Sequence, residues 1–196
     1  MKMYCITIYD DHYNKIKKLG YEPVGLGNNI ISKKFTTDNT QKNISLKNPY
    51  YGEYTFHYWL WKNKIINSEN EWIGFCQYRK YWSNKRQELN IKNLNELNNH
   101  VIKDIPDEYK NYESILGETL YINQFRLSKF LKKNLKVMIK KPSLFFYKNK
   151  RNIKFHFDMM HGSGNLDKAI GFLDNKDQED FKNFVNTEVS FNPHNM

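Results

Sequence analysis

Cysteine is nearly absent from this chain. Cys5 and Cys76 stand alone among 196 residues, each inside an apolar run, with no partner at metal-ligand spacing. That excludes a disulfide-stapled scaffold and a cysteine-built zinc site, and both thiols are expected to be buried and reduced. Long apolar runs are absent too. Nowhere do about eighteen apolar residues follow one another, so no membrane-spanning helix is expected. The opening "MKMYCITIYDD" is too short and too polar for a secretory signal, so a cytoplasmic location is expected. No D-x-D triplet occurs, so no carboxylate pair for a divalent metal is visible; the cofactor stays unknown, with manganese a candidate. Acidic residues are the minority: 21 against 31 basic ones, a net charge of +10. That balance suits an anionic partner, whether nucleic acid, a phosphorylated ligand or an acidic membrane surface.

What the chain has in quantity is aromatic residues, 16% of the total. Tyr, Phe and Trp must therefore supply much of any buried area. The length suits one domain. "MYCITIY" (3–9) predicts a buried first strand, and "DDHYNKIKKLG" a short helix closed by its glycine. "EPVGLG" (22–27) predicts a second strand running into a loop that stays polar to residue 47. Asn48 is placed to cap a helix over 49–65, with Pro49 in its first turn. Aromatics fall on several faces of that helix, which predicts burial on several sides. "EWIGFC" (71–76) is apolar on both faces, as central parallel strands are. Further on come a polar helix near 92–103, a strand within 113–122, and a basic amphipathic helix over 126–141. A final helix is read in "DQEDFKNFVNTEV". Alternating strands and helices define an α/β protein.

Three stretches hold candidate chemistry. Arg79 and Lys80 stand where the strand 71–77 should emerge from the sheet, the edge where open α/β sheets bind ligands. Two cations there suit a diphosphate; solvated basic residues at a strand end are the bland alternative. In "FHFDMMHGSGN", His156 and Asp158 share one side of an extended segment, and His161 precedes a glycine turn. Either His156 or Asp158 suits a general base; ordinary hydrogen-bonded surface residues are the bland alternative. Glu53 and His57 lie four apart in an aromatic helix, either as a local pair or with Glu53 turned to a pocket and a ligand hydroxyl.

The same residues carry a resemblance. "DNTQKNISLKN" (38–48), "YGEYTFHYWLWKN" (51–63), "GFCQYRKY" (74–81) and "HNM" (194–196) follow, in order, the pattern D-x-T-x-x-N-I-S-x-K-N, Y-x-E-L-T-x-x-Y-W-x-W-K-N, G-L-C-H-Y-R-R-Y and N-M-F-I. The chain thus resembles a bacterial family, known as a domain of unknown function, found in capsular and surface polysaccharide glycosyltransferases. Tyr54 replaces the pattern's Leu, Gln77 its His and Lys80 its second Arg. Gln77 removes an ionisable group, and Lys80 keeps the charge without the guanidinium fork. The resemblance implies a GT-A-like, Rossmann-like open sheet with helices on both faces. It implies sugar transfer from a nucleotide-diphosphate donor to a glycan or lipid-linked acceptor. Asn43 and Ser45 would belong to the donor-side loop, Glu53 to the pocket face of the helix, and Tyr78, Arg79 and Lys80 to the strand-end site. The chain stops inside the last motif, so a domain cut short at its carboxyl end is expected.

The expected protein is therefore a hexosyltransferase acting at the inner face of a membrane, with peripheral contact to anionic lipid. It is not expected to bind nucleic acid. A basic, aromatic-rich binder of single-stranded nucleic acid and a transferase-like domain without catalysis are the rivals.

Overall fold

Every side chain from Met3 to Thr7 is apolar or β-prone. In the computed structural model Lys2–Thr7 is a strand, β1, buried along its length except at Lys2. The structure describes residues 1–27, 32–66, 72–83, 91–122 and 151–191, together with Ile139, Ser143 and Tyr147. It divides into two compact units, Met1–Ile115 and Leu116–Asn192.

In the first unit, a 3-10 turn at Asp10–His12 leads from β1 into helix α1, Tyr13–Lys18. The helix closes where Gly20 takes φ +79°. Gly20 N–H donates to the Lys17 carbonyl (3.0 Å) and Tyr21 N–H to the Ile16 carbonyl (3.3 Å). These are the paired bonds by which a left-handed glycine ends a helix. The chain returns as β2, Glu22–Gly25. Beyond the polar loop come α2 (Asn48–Tyr51), α3 (Tyr54–Lys62), β3 (Ile73–Gln77) and α4 (Leu94–His100). β2 and β3 both pair parallel to β1, in the order β2-β1-β3.

Successive side chains of a strand point to opposite faces, so β1 feeds two cores. Met3 and Cys5 pack with Ile16, Leu19 and Tyr21, with α4 contributing Leu94 and Leu97. Tyr4 and Ile6 pack with Val24, Phe56, Trp59 and Leu60, beneath α3. Helices therefore cover both faces of a small, open, parallel α/β sheet. Met3 lies opposite Gly74 in the register. A Cβ on Gly74 would collide with the end of the Met3 thioether, so the bare glycine makes its room. Cys5 and Cys76 are register partners, both buried and unlinked.

Several expectations are corrected. The stretch 49–65 is two helices, broken where Gly52 adopts φ 54° and ψ −133°. It is buried on one face only: Thr55, Phe56, Trp59 and Leu60 are enclosed, whereas Tyr50 is 87% and Trp61 66% exposed. Asn48 does not cap. Lys47 holds that position, and Asn48 Nδ2 donates instead to the Gly52 carbonyl (2.9 Å) and the Thr55 hydroxyl (3.3 Å). β3 neighbours β1 as expected, but among the described residues no strand flanks its other side, and only its Cys76 is fully buried. The basic stretch 126–141 lies outside the described residues apart from Ile139.

The second unit has a short antiparallel pair, β4 (Thr119–Tyr121) with β5 (Val189–Phe191). The helices Ile153–His161, Asn165–Ile170 and Asn175–Val185 join around Leu166, Ile170 and Val185, with Ile153 and Phe157 against them. Asn152 and Asp174 cap the first and last of these helices, each accepting a backbone N–H three residues on. Among the described residues no helix is long and apolar enough to cross a membrane.

The split of α3 into a buried and an open face has a direct test. Phe56→Ala should cost about 3–5 kcal/mol of stability by deleting a wholly enclosed ring, whereas Trp61→Ala should stay within about 0.5 kcal/mol of wild type. Urea unfolding of the two variants checks this; equal losses would contradict the one-sided burial.

Candidate functional site

The crossover from β1 to β2 carries α1 over one face of the sheet. The crossover from β2 to β3 carries α3 over the other face and lands on the far side of β1. The winding therefore reverses between β1 and β3, which stay paired to their carboxyl ends. In open α/β sheets this is the crevice that holds ligands.

On the β3 side, Tyr78 N–H still donates to the Ile6 carbonyl (3.1 Å), extending the ladder by one residue. A tight turn follows, with Lys80 N–H donating to the Gln77 carbonyl (3.0 Å). Arg79 and Lys80 are exposed on it. The Arg79 guanidinium carbon lies 5.3 Å from the centre of the Tyr78 ring, and among the described residues no carboxylate is within ion-pair reach of it. On the β1 side, the Thr7 hydroxyl accepts from Tyr9 N–H (3.1 Å) and lies 2.9 Å from His12 Nδ1. The His12 ring sits 4.5 Å from the Tyr78 ring, and Tyr9 packs edge-on to Tyr78 at 5.6 Å. Three rings thus gather just beyond the carboxyl ends of the two strands. His12 and Thr7 were not among the residues expected here, although the strand-end rule that singles out Arg79 applies equally to β1.

Glu53 reaches this place from the start of α3, its Oε1 accepting from Gln77 Nε2 (3.3 Å). It therefore faces the exit of β3. His57 instead turns into the sheet, 4.4 Å from the Phe75 ring, and its enclosed Nε2 has no hydrogen-bond partner among the described residues. Burial lowers its pKa and favours the neutral imidazole.

The loop before α2 is laced to α3. Trp59 Nε1 donates to the Thr40 carbonyl (2.9 Å) and Asn63 Nδ2 to the Lys42 carbonyl (2.9 Å). Asp38 is buried. Its burial raises the carboxyl pKa, and a hydrogen bond from Thr55 opposes that rise. Asn43 Oδ1 accepts from both the backbone N–H (3.2 Å) and the hydroxyl (2.8 Å) of Ser45, while its amide group donates to the Gln41 carbonyl (3.0 Å). These two side chains brace the loop.

In the second unit, His156 and Asp158 do not share an extended strand. Both lie on the helix Ile153–His161, where two residues turn through about 200° and so face different ways. Asp158 Oδ1 accepts from Gly164 N–H (3.4 Å), and its Oδ2 lies 3.9 Å from Lys154 Nζ. His156 is half-buried, and burial, followed by the charge of His161, lowers its pKa. His161 is exposed in the last turn, its ring 4.5 Å from Phe157. Among the described residues no three His, Cys, Asp or Glu side chains gather as a metal site. A cavity of about 330 Å³ opens at the amino-terminal edge of β1, beside Met1, Lys17 and Glu22, away from the strand ends. Its Lys17 and Glu22 are paired with each other.

The model of a family described as "Domain of unknown function (DUF4422)" matches residues 3–196. No curated protein matches. Among solved structures, the apo form of WbbM, a bifunctional glycosyltransferase, is similar at 17% identity and a TM-score of 0.44, over 97% of this chain and 32% of that one. The chain thus spans about a third of that protein's length.

Two imidazoles held neutral by burial make stability depend on pH. The unfolded chain takes up their protons below about 6.5, the ordinary histidine value, and the native state resists. Their contribution is whole above that value and is lost as pH falls below it. Thermal melts should therefore drop between about pH 7 and pH 5, and His57→Phe should flatten part of that drop.

Proposed function

The chain belongs to the DUF4422 family, and from that premise we propose that it transfers a sugar from a nucleotide-diphosphate donor to a growing surface or capsular glycan. The observation that carries this reading is the reversal point between β1 and β3, with Arg79 and Lys80 exposed on the turn that leaves it. A dianionic diphosphate suits two cations at such a strand end. In the proposed complex the Tyr9, His12 and Tyr78 rings offer an apolar floor to a base or sugar, and Glu53, oriented by Gln77, accepts from a donor hydroxyl. Asn43 and Ser45 act indirectly, by shaping the loop latched to α3. We read the β2-β1-β3 sheet as the nucleotide half of a GT-A-like fold and the two units as parts of one transferase domain, working in the cytoplasm.

Cations beside the departing diphosphate would stabilise the charge that develops on it. The acceptor hydroxyl needs a base. His156, neutral by burial, is our first choice, because the Asp158 carboxylate is already engaged by Lys154 and Gly164. His161 is assigned to the acceptor side, from its exposed place at the end of the same helix. Manganese is a candidate cofactor, to be decided by the donor screen.

A thermal-shift screen of UDP-, GDP-, CMP- and dTDP-sugars, with and without manganese, identifies the donor. Arg79→Ala should then weaken that donor by about ten- to a hundredfold, since charge-assisted bonds are worth about 1.5–3 kcal/mol each. Arg79→Lys should recover only part of it. Calorimetric affinities within twofold of wild type for Arg79→Ala would remove Arg79 from the site. For the base, His156→Gln should slow transfer by about a hundredfold or more while donor affinity holds; an unchanged turnover would move the assignment to Asp158 or elsewhere.

A further inference from the structure

We propose that the outer face of α2 and α3 docks on an anionic lipid bilayer. Leu46 is 93% exposed, and Tyr50, Tyr54 and Trp61 stand open beside it on consecutive, mutually packed elements. On α3, Tyr54, Tyr58 and Trp61 recur at four- and three-residue steps, along the face opposite to Phe56 and Leu60. This is a ridge of large side chains that the described structure leaves uncovered. Single exposed rings need no explanation, but a contiguous set marks an interaction surface.

Charge decides what covers it. Between residues 39 and 66 there are four lysines, Lys42, Lys47, Lys62 and Lys64, against one carboxylate, Glu53. That carboxylate is turned to Gln77. Lys62 Nζ lies 3.5 Å over the Trp61 ring, Lys47 Nζ 6.0 Å over Tyr51, and the Lys42 backbone is tied to Asn63 at the end of α3. A cation therefore sits against an amphipathic ring on each of the two helices. Protein interfaces are depleted in lysine. Lysine mixed with Tyr and Trp is the composition that seats in an anionic headgroup layer. Base stacking on single-stranded nucleic acid is disfavoured at Trp61, because Lys62 already occupies a face of that ring. The amino-terminal end of the ridge adjoins Glu53 and hence the exit of β3. A docked bilayer would lie close to the proposed donor site, within reach of a lipid-linked acceptor.

The surface is tested without any donor, so it and the transferase reading can fail separately. The full chain is sedimented with phosphatidylcholine vesicles and with vesicles that also contain phosphatidylglycerol. Binding is expected only to the second. Lys47→Ala with Lys62→Ala should weaken it about tenfold or more, and Tyr50→Ser with Trp61→Ser by a similar factor. Lys168→Ala with Lys176→Ala, on exposed helical sites of the second unit, is the control for total charge and should stay within about twofold. Circular dichroism confirms that each variant is folded. The proposal is overturned if the control pair loses as much as the ridge pair, or if the aromatic variant binds as wild type. It is also overturned if the ridge variants lose affinity for an oligothymidylate while keeping it for vesicles.

Discussion

The first unit depends on one strand that must satisfy two cores at once. β1 sends Met3 and Cys5 to the face under α1, and Tyr4 and Ile6 to the face under α3. Among the described residues no other strand supplies both sides so fully, since β2 is short and β3 is largely half-buried. The requirement for apolar residues on both faces explains the unbroken run from Met3 to Ile6. It also sets where the site begins. Thr7 is the last enclosed residue of the strand, and its hydroxyl already engages Tyr9 and His12. The core therefore ends in a polar contact that belongs to the crevice.

The three parallel strands of the first unit and the class of fold were legible in the sequence because apolar runs bounded by turn residues have few other uses, whereas β5 was not, its first residue having been read into the final helix. The exit of β3 was legible for the same reason: once the strand is placed, its end follows. Other features were not. The segment 49–65 looks wholly buried when aromatic content is equated with burial, but Tyr and Trp carry a polar tip and tolerate water on one side. One glycine with a positive φ, Gly52, splits that helix, and no periodicity reveals it. "FHFD" alternates over a window too short to separate strand from helix. Asn152 before Ile153, Phe157 and His161 was the usable signal, a cap followed by four-residue steps.

The residues that carry the family resemblance behave as one interlocked piece. Thr55 serves Asp38, Trp59 holds the Thr40 carbonyl, and Asn63 holds Lys42. The loop motif and the helix motif, neighbours along the chain, fold back on each other as the two halves of a clasp. The carboxylate and the imidazole of the aromatic segment lie on different sides of this clasp. Glu53 lies beyond the clasp, at the crevice, whereas His57 lies behind it, against Phe75. A four-residue spacing on a helix brought the two side chains to one face without making them partners.

The pairing of Met3 with Gly74 has an evolutionary consequence. The thioether fills the volume that a side chain on Gly74 would need, so bulk added at position 74 has to be taken up by the far end of Met3, which is unbranched and can turn aside. A lineage that gains a methyl at position 74 can therefore keep methionine at position 3 in another rotamer, whereas a stiff β-branched neighbour could not give way. The methionine acts as a buffer between adjacent strands, away from the crevice.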